Sequence, residues 1–297
     1  MLKRIAQGLA LLLFVIALLL YFVLRPIPAR PADGDLRLAE SAGKKIQYHV
    51  SGNGPAIVLL PSFARSASDF NELALALNTQ GYQTIAVQPG GIEGSDWLGM
   101  SATLNHYADG IAEVLRAENI DQPVVVAGHA FGNRVARSFA AQYPKHTFAV
   151  ILLAAGGEEA TPDVVSTAIQ TILFGFEQQA RADAVRLAFF ADDSELPDYW
   201  VNGWFPLAGL SQGAATASSD FSHWGGAGSS PMLVLQSLED KAAPADVAGR
   251  VLKQRYPKRV KYAEVANAGH AFLPEQHQWL EQNIVNYLTQ IAYRKIQ

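Results

Sequence analysis

The chain has 297 residues, of which 49% are apolar and 17% charged. That is enough for one well-buried core with a small second lobe, and it excludes disordered and fibrous proteins. With 23 basic against 27 acidic residues, the formal charge of -4 supplies no field to concentrate a polyanion, so nucleic acid is not an expected partner. The absence of cysteine excludes disulfides, thiolate chemistry, Cys-ligated zinc and a lipoprotein anchor.

The N-terminus opens with a segment that is apolar throughout from Leu9 to Leu24 and extends upstream to Ile5 with only Gln7 polar. No polar face interrupts it, so it does not read as an amphipathic core helix. About twenty helical residues cross a bilayer core of roughly 30 Å. A cleavable signal peptide has an apolar region of about 7 to 15 residues followed by small residues at the cleavage point. Here the exit is Arg25-Pro26-Ile27-Pro28, a poor cleavage context. The reading is an uncleaved, single-pass membrane anchor with its linker over residues 1–34. Lys3 and Arg4 favour a cytoplasmic N-terminus, an asymmetry that Arg25 and Arg30 weaken. The body, 35–297, is then expected on the periplasmic or extracellular side.

Beyond the Pro-rich linker, short apolar runs alternate with helical patterns, as in a mainly parallel sheet flanked by helices. Ile46 to Val50 and Ala56 to Leu60 read as strands joined by the turn Ser51-Gly52-Asn53-Gly54-Pro55, followed by a helix from about Ser68 to Thr79. Thr84 to Val87 is the next strand. The loop PGGIEGSDW leads to a helix around Leu104 to Glu118, the buried strand Val124 to Ala127, the helix Asn133 to Gln142 and the strand Phe148 to Ala154. From about 157 to 228 the alternation stops in a stretch rich in Phe, Tyr, Trp, Ala and Ser, which reads as an inserted cap. Met232 to Gln236 resumes the strands, followed by a helix near Ala245 to Tyr256, the strand Val260 to Val265 and a final amphipathic helix from about Gln276 to Tyr293.

The segment VVVAGHAFGNRVARSFA is a buried strand that runs through a Gly-flanked turn straight into a helix, the form of a nucleophile elbow. Such a turn is sharp enough to need small flanking residues, and Gly128 and Gly132 meet that need. The central position calls for Ser, Asp or Cys, and here it is Ala130. A turn of this kind also serves Rossmann-like folds, so context has to decide. Downstream, PMLVLQSLEDKAAP puts Asp240 in the loop after one strand, and VKYAEVANAGHAFLPEQ puts His270 in the loop before the last helix.

On GHAFG, LEDKAAP and NAGHAFLPEQ, the chain from about Lys45 to Tyr293 resembles the α/β-hydrolase superfamily, particularly its cap-bearing bacterial members of the AB hydrolase-1 type. The resemblance implies an α/β-hydrolase fold: a mainly parallel eight-stranded sheet flanked by helices, with a helical cap insertion and, in this chain, an N-terminal transmembrane helix. It makes Asp240 the orienting carboxylate and His270 the general base, with Glu239 as the fallback acid. A carboxylate bonded to one imidazole nitrogen fixes the tautomer and leaves the other nitrogen free to accept a proton. By position, the backbone N–H groups of Phe63 and Phe131 form the oxyanion hole. The loop carrying Phe63 departs from the family's His-Gly opening and reads LPSFARSASDF. Its Ser62 offers a substitute hydroxyl, although serine in such a stretch more often serves as a turn or cap group.

Alanine has neither a nucleophilic atom nor a proton for His270 to take, so the covalent route is closed. In serine hydrolases such a loss lowers kcat by roughly a millionfold, about 8 kcal/mol of barrier. Three readings stay open: a nucleophile-to-alanine variant of an active esterase-type hydrolase; a protein whose His-Asp pair acts as base without an acyl intermediate; and a non-catalytic ligand-binding pseudo-hydrolase. Aromatics at Phe174, Phe176, Phe189, Phe190, Tyr199, Trp200, Trp204, Phe205, Phe221 and Trp224 either line a pocket mouth or pack the cap onto the sheet. The expected ligand is an apolar small molecule. His49, His106, His129, His146, His223 and His277 show no metal-ligand spacing, and neither a metal nor a cofactor is expected; His129 reads as structural.

Overall fold

The computed structural model describes residues 2–295; Met1, Ile296 and Gln297 lie outside the described residues. Eight strands form one sheet in the order β1-β2-β4-β3-β5-β6-β7-β8. They are β1 (Asp35–Ser41), β2 (Lys44–Ser51), β3 (Ala56–Leu60), β4 (Gln83–Val87), β5 (Val124–His129), β6 (Thr147–Leu153), β7 (Met232–Ser237) and β8 (Val260–Val265). The β1-β2 and β2-β4 pairs are antiparallel, and every other pair is parallel. Helices α2 (Asn71–Thr79), α3 (Leu104–Ala117), α4 (Phe131–Gln142), α10 (Gly249–Arg255) and α12 (His277–Gln290) flank the sheet, the single turn α11 (Phe272–Glu275) leads into α12, and α1 (Leu2–Leu24) precedes the sheet.

The central strands are apolar on both faces because both faces are covered. Val58 and Leu60 of β3 join Val124 and Val126 of β5 in a core with α3 and α4, while Ile57, Leu59, Val125 and Ala127 face α2 and α12. A period of two thus sorts consecutive residues into two separate cores. The strand β1 is the one the sequence reading omits. Of its seven residues only Ala39 is buried, so an exposed edge strand carries almost no apolar signal.

Between β6 and β7 the chain leaves the sheet and forms five helices: α5 (Asp163–Phe174), α6 (Gln178–Phe189), α7 (Asp198–Val201), α8 (Pro206–Ser218) and α9 (Phe221–Trp224). Their own core joins Phe189, Phe190, Trp200 and Trp204 to Ile172 and Leu173. Arg65, in the loop after β3, is buried and clamps this insertion to the sheet. It pairs with Asp69 at 2.5 Å, donates to the carbonyls of Tyr199, Asn202 and Gly203, and packs its guanidinium over Trp200 and Trp204.

Helix α1 is long and apolar enough over Arg4–Leu24 to cross a membrane, and none of these residues is buried. The Pro-rich segment after it is pinned to the insertion. Ile27 and Trp204 exchange backbone hydrogen bonds of 2.8 and 3.1 Å, Gly203 N donates to Pro28 O, and Arg30 forks onto Glu72 while stacking on Tyr199.

Candidate functional site

The site lies at the carboxyl ends of β3, β5, β7 and β8, where parallel strands of an open sheet leave a crevice. Strand β5 runs through His129 into Ala130, and α4 begins at Phe131, two residues earlier than its sequence pattern suggests. Ala130 sits at φ 49°, ψ -107°, a conformation that L-residues avoid and that costs of order 1–3 kcal/mol. The turn is possible only because of its neighbours. A Cβ on Gly128 would lie 2.2 Å from the carbonyl of Gly132, and one on Gly132 would lie 2.0 Å from the carbonyl oxygen of Leu60. Ala130 thus sits at the apex of a sharp strand-to-helix turn and presents a methyl group there.

Asp240 and His270, 30 residues apart, meet at the far side of this turn. The Nδ1 of His270 lies 2.9 Å from each carboxylate oxygen of Asp240, and both side chains are buried. The carboxylate is held from below. Its Oδ1 accepts from the backbone N–H of Ala242 and Ala243 at 2.9 and 2.7 Å, and its Oδ2 accepts from Gln236 Nε2 at 3.2 Å. With Nδ1–H donated to Asp240, the imidazole presents Nε2 as an acceptor. Glu239, the fallback acid, accepts instead from Asn267 N and is not bonded to His270.

The loop carrying His270 is stitched to the insertion by residues that sequence reasoning passes over. Glu275 accepts from Gly269 N at 2.8 Å and from Ala191 N at 3.0 Å, while Ala271 N donates to Phe189 O. Burial raises the Glu275 carboxyl above its usual range against these stabilising hydrogen bonds. His129, expected to be structural, is fully buried; its Nε2 lies 2.8 Å from the carbonyl oxygen of His270, and the two rings lie 5.3 Å apart. Burial, and then the nearby His270, push its pKa down to about 3, so it is neutral and donates to that carbonyl. No local motif announces Gln236 or Glu275; their roles arise from partners brought close by the fold.

A cavity of about 850 Å³ opens over the turn, with Ala130, Phe131, Phe63 and His270 all on its wall. The backbone N–H groups of Phe63 and Phe131 have no hydrogen-bond acceptor among the described residues. Ser62 is buried but does not line this cavity, so its hydroxyl is not brought to His270. The aromatic expectation resolves toward packing. Of the ten aromatics in the insertion, only Phe174 faces the cavity. Phe189, Phe190, Trp200 and Trp204 form the insertion's own core, Phe205 packs against Ile92, and Phe221 and Trp224 meet edge to face beside Arg137. Small side chains such as Gly156, Gly209, Gly213, Ala214 and Ala242 make most of the room, while Arg134, Glu159 and Gln170 add polar groups. Among the described residues, no cluster of His, Asp and Glu is arranged to hold a metal ion.

Comparison with known proteins agrees with this geometry at the level of the fold. The family model described as serine aminopeptidase, S33, matches residues 53–277. Uncharacterized proteins of Mycobacterium tuberculosis and Mycobacterium bovis are 30% identical over 134 residues, which is 45% of this chain and 38% of theirs, so the chain spans well under half the length of these relatives. Among solved structures, a thermophilic esterase from Thermogutta terrifontis superposes with a TM-score of 0.73 at 18% identity, over 87% of this chain and 99% of that one. A bromoperoxidase from Bacillus anthracis gives 0.74 at 17%, over 86% and 100%. A bacterial membrane phospholipase A gives 0.69 at 19%, over 98% of this chain and 99% of its own. With a family model matched across most of its length and this sheet beneath the site, the chain belongs to the serine aminopeptidase S33 family of α/β hydrolases.

Proposed function

We propose that the chain is a membrane-anchored protein of hydrolase descent that takes an apolar small molecule into the cavity over Ala130. His270 acts there as general base, without an acyl-enzyme intermediate. The observation that carries this reading is the His270–Asp240 pair, held at 2.9 Å on the wall of an 850 Å³ cavity. A base oriented by a carboxylate keeps its function when the serine hydroxyl is gone, because its proton can come from water or from the ligand.

The ligand class that suits this base is an ester. His270 Nε2 takes a proton from a water molecule as the water oxygen bonds to the carbonyl carbon, and the resulting oxyanion accepts from the N–H groups of Phe63 and Phe131. Collapse breaks the bond to the alkoxide, which receives the proton back from His270. The insertion, α5 to α9, acts as the cap over this chamber. The apolar helix α1 supports delivery of an acyl compound from a membrane, and the likeness to a membrane phospholipase A points the same way. Ala130 itself favours a second reading, a purely ligand-binding protein, since the turn that should carry the nucleophile carries none.

Two measurements on the purified full chain decide between these readings. Apolar esters and ketones are expected to raise the Tm, by the mass-action stabilisation of the folded state. Slow hydrolysis of p-nitrophenyl butyrate is expected to disappear in His270→Ala. Hydrolysis that persists unchanged in His270→Ala overturns the site assignment, and ligand binding with no hydrolysis at all selects the binding protein.

A further inference from the structure

A second cavity of about 250 Å³ lies where α1 meets the insertion. Its wall combines the end of the apolar helix (Phe22, Arg25) with the corner between α5 and α6 (Phe174, Phe176) and Arg181. Two arginines face it, neither of them in an ion pair among the described residues. Arg181 is more than nine-tenths buried; its Nε donates to Val201 O at 3.0 Å, and its Nη atoms have no hydrogen-bond partner among the described residues. Arg25 is exposed, with its guanidinium 5.7 Å from the Phe22 ring, and it too makes no ion pair there. Asp183, two residues further along α6, is occupied with Gln179.

Burying a cation beside a second cation is unfavourable unless an anion joins them. Burial and then the charge of Arg25 lower the Arg181 pKa from its ordinary value, so the two charges act on one another. The fork of guanidinium donors matches an oxyanion, carboxylate or phosphate, better than a chloride. The position says which anion. Helix α1 has 23 residues, about 35 Å at 1.5 Å per residue, so a span that fills the bilayer core brings Arg25 to the headgroup layer. The backbone bridge from Ile27 to Trp204 holds the insertion at that same level, and Phe176, 70% exposed beside the cavity, presents an aromatic ring to it.

We infer that Arg25 and Arg181 form a binding site for the phosphate diester of a phospholipid headgroup, in the leaflet that α1 enters on the side of the body. The inference rests on the membrane-anchored reading given above. The site is distinct from the chamber at His270, but shares a wall with it: Leu173 and Phe174 line both cavities. A lipid held there tethers the insertion to the membrane surface beside the chamber.

The test uses the intact chain in non-ionic detergent, titrated with dihexanoyl-phosphatidylglycerol while Tm is followed. Phosphate-free dihexanoylglycerol and inorganic phosphate are titrated in parallel. The phospholipid is expected to raise Tm at a concentration at least about tenfold below either control, since a charge-assisted forked contact is worth about 1.5–3 kcal/mol, or roughly one to two decades. Arg25→Gln should weaken that response at least about fivefold, while Arg25→Lys retains most of it. Arg181→Gln should weaken it further. If Arg181→Gln does not fold, Arg25→Gln still decides, because that side chain is exposed. An unchanged phospholipid response in Arg25→Gln overturns the site, as does an equal response to dihexanoylglycerol. Inorganic phosphate acting as well as the lipid overturns the headgroup assignment. Carbonate extraction of membranes tests the anchoring separately: release of the chain overturns that reading, while the detergent titration still decides the phosphate site.

Discussion

Ala130→Ser adds a single oxygen at the strand-to-helix turn. The backbone there already bears its strain, and alanine and serine both carry a Cβ, so the substitution adds no new backbone cost. Ala130 faces the large cavity, which leaves room for the hydroxyl. The other groups that the proposed site assigns to a covalent route border the same chamber: His270, bonded to Asp240, and the N–H groups of Phe63 and Phe131, which have no acceptor among the described residues. If the route opens fully, the gain approaches roughly a millionfold, about 8 kcal/mol of barrier. A site not refined around the hydroxyl should recover part of this, so at least a thousandfold rise in kcat, about 4 kcal/mol, is expected for p-nitrophenyl butyrate. The assay pairs steady-state hydrolysis with labelling by a fluorophosphonate, which should modify Ala130→Ser and leave the parent chain untouched. Adding His270→Ala to the variant should abolish both. A variant that folds with an unchanged Tm yet shows neither turnover nor labelling refutes the reasoning: His270 and the two donors would then not converge on position 130.

Other consequences concern the scaffold. Arg65→Ala leaves Asp69 buried without its partner, a loss of about 3–5 kcal/mol; at roughly 2–4 °C per kcal/mol for a domain of this size, Tm should fall by about 6–20 °C, and a fall below about 2 °C contradicts the clamp. Gly132→Ala should cost more than about 3 kcal/mol, because its methyl meets the Leu60 carbonyl, whereas Gly213→Ala in α8, with open space around it, should be neutral or stabilising by up to about 1 kcal/mol in urea unfolding. Below pH 6.5 the unfolded chain protonates His129, while the folded chain refuses that proton until about 3. The folded state therefore loses up to about 1.4 kcal/mol per pH unit as pH falls through that window, a slope that His129→Asn should remove from the stability profile.

The fold was legible in the sequence wherever burial writes a local pattern. The all-apolar β3 and β5, the glycines on either side of Ala130 and the 3.6-residue period of α3 each carry their signal within a few neighbours. The same locality made the sharp turn at Ala130 readable, because its geometry depends on residues only two positions away. Asp240 and His270 could be picked out as site candidates for a similar reason: each lies in the loop that follows an apolar strand.

Only the tertiary structure decided what depends on distant partners. Strand β1 escaped because an edge strand buries a single side chain. Ten aromatics between Gly156 and Gly228 looked equally able to line a pocket or fill a core, and packing among five helices sent nine of them away from the chamber. Glu275 and Arg65 acquired their roles from backbone groups tens of residues away, Gln236 bridges Asp240 to the distant backbone N–H of Ala155, and Arg25 met Arg181 only because the segment after α1 is bridged to Trp204. A period or a motif records what a residue does with its near neighbours. Which carbonyl a buried guanidinium reaches, and which charge is left unpaired, is set by closure of the chain over long loops, and no local pattern encodes it.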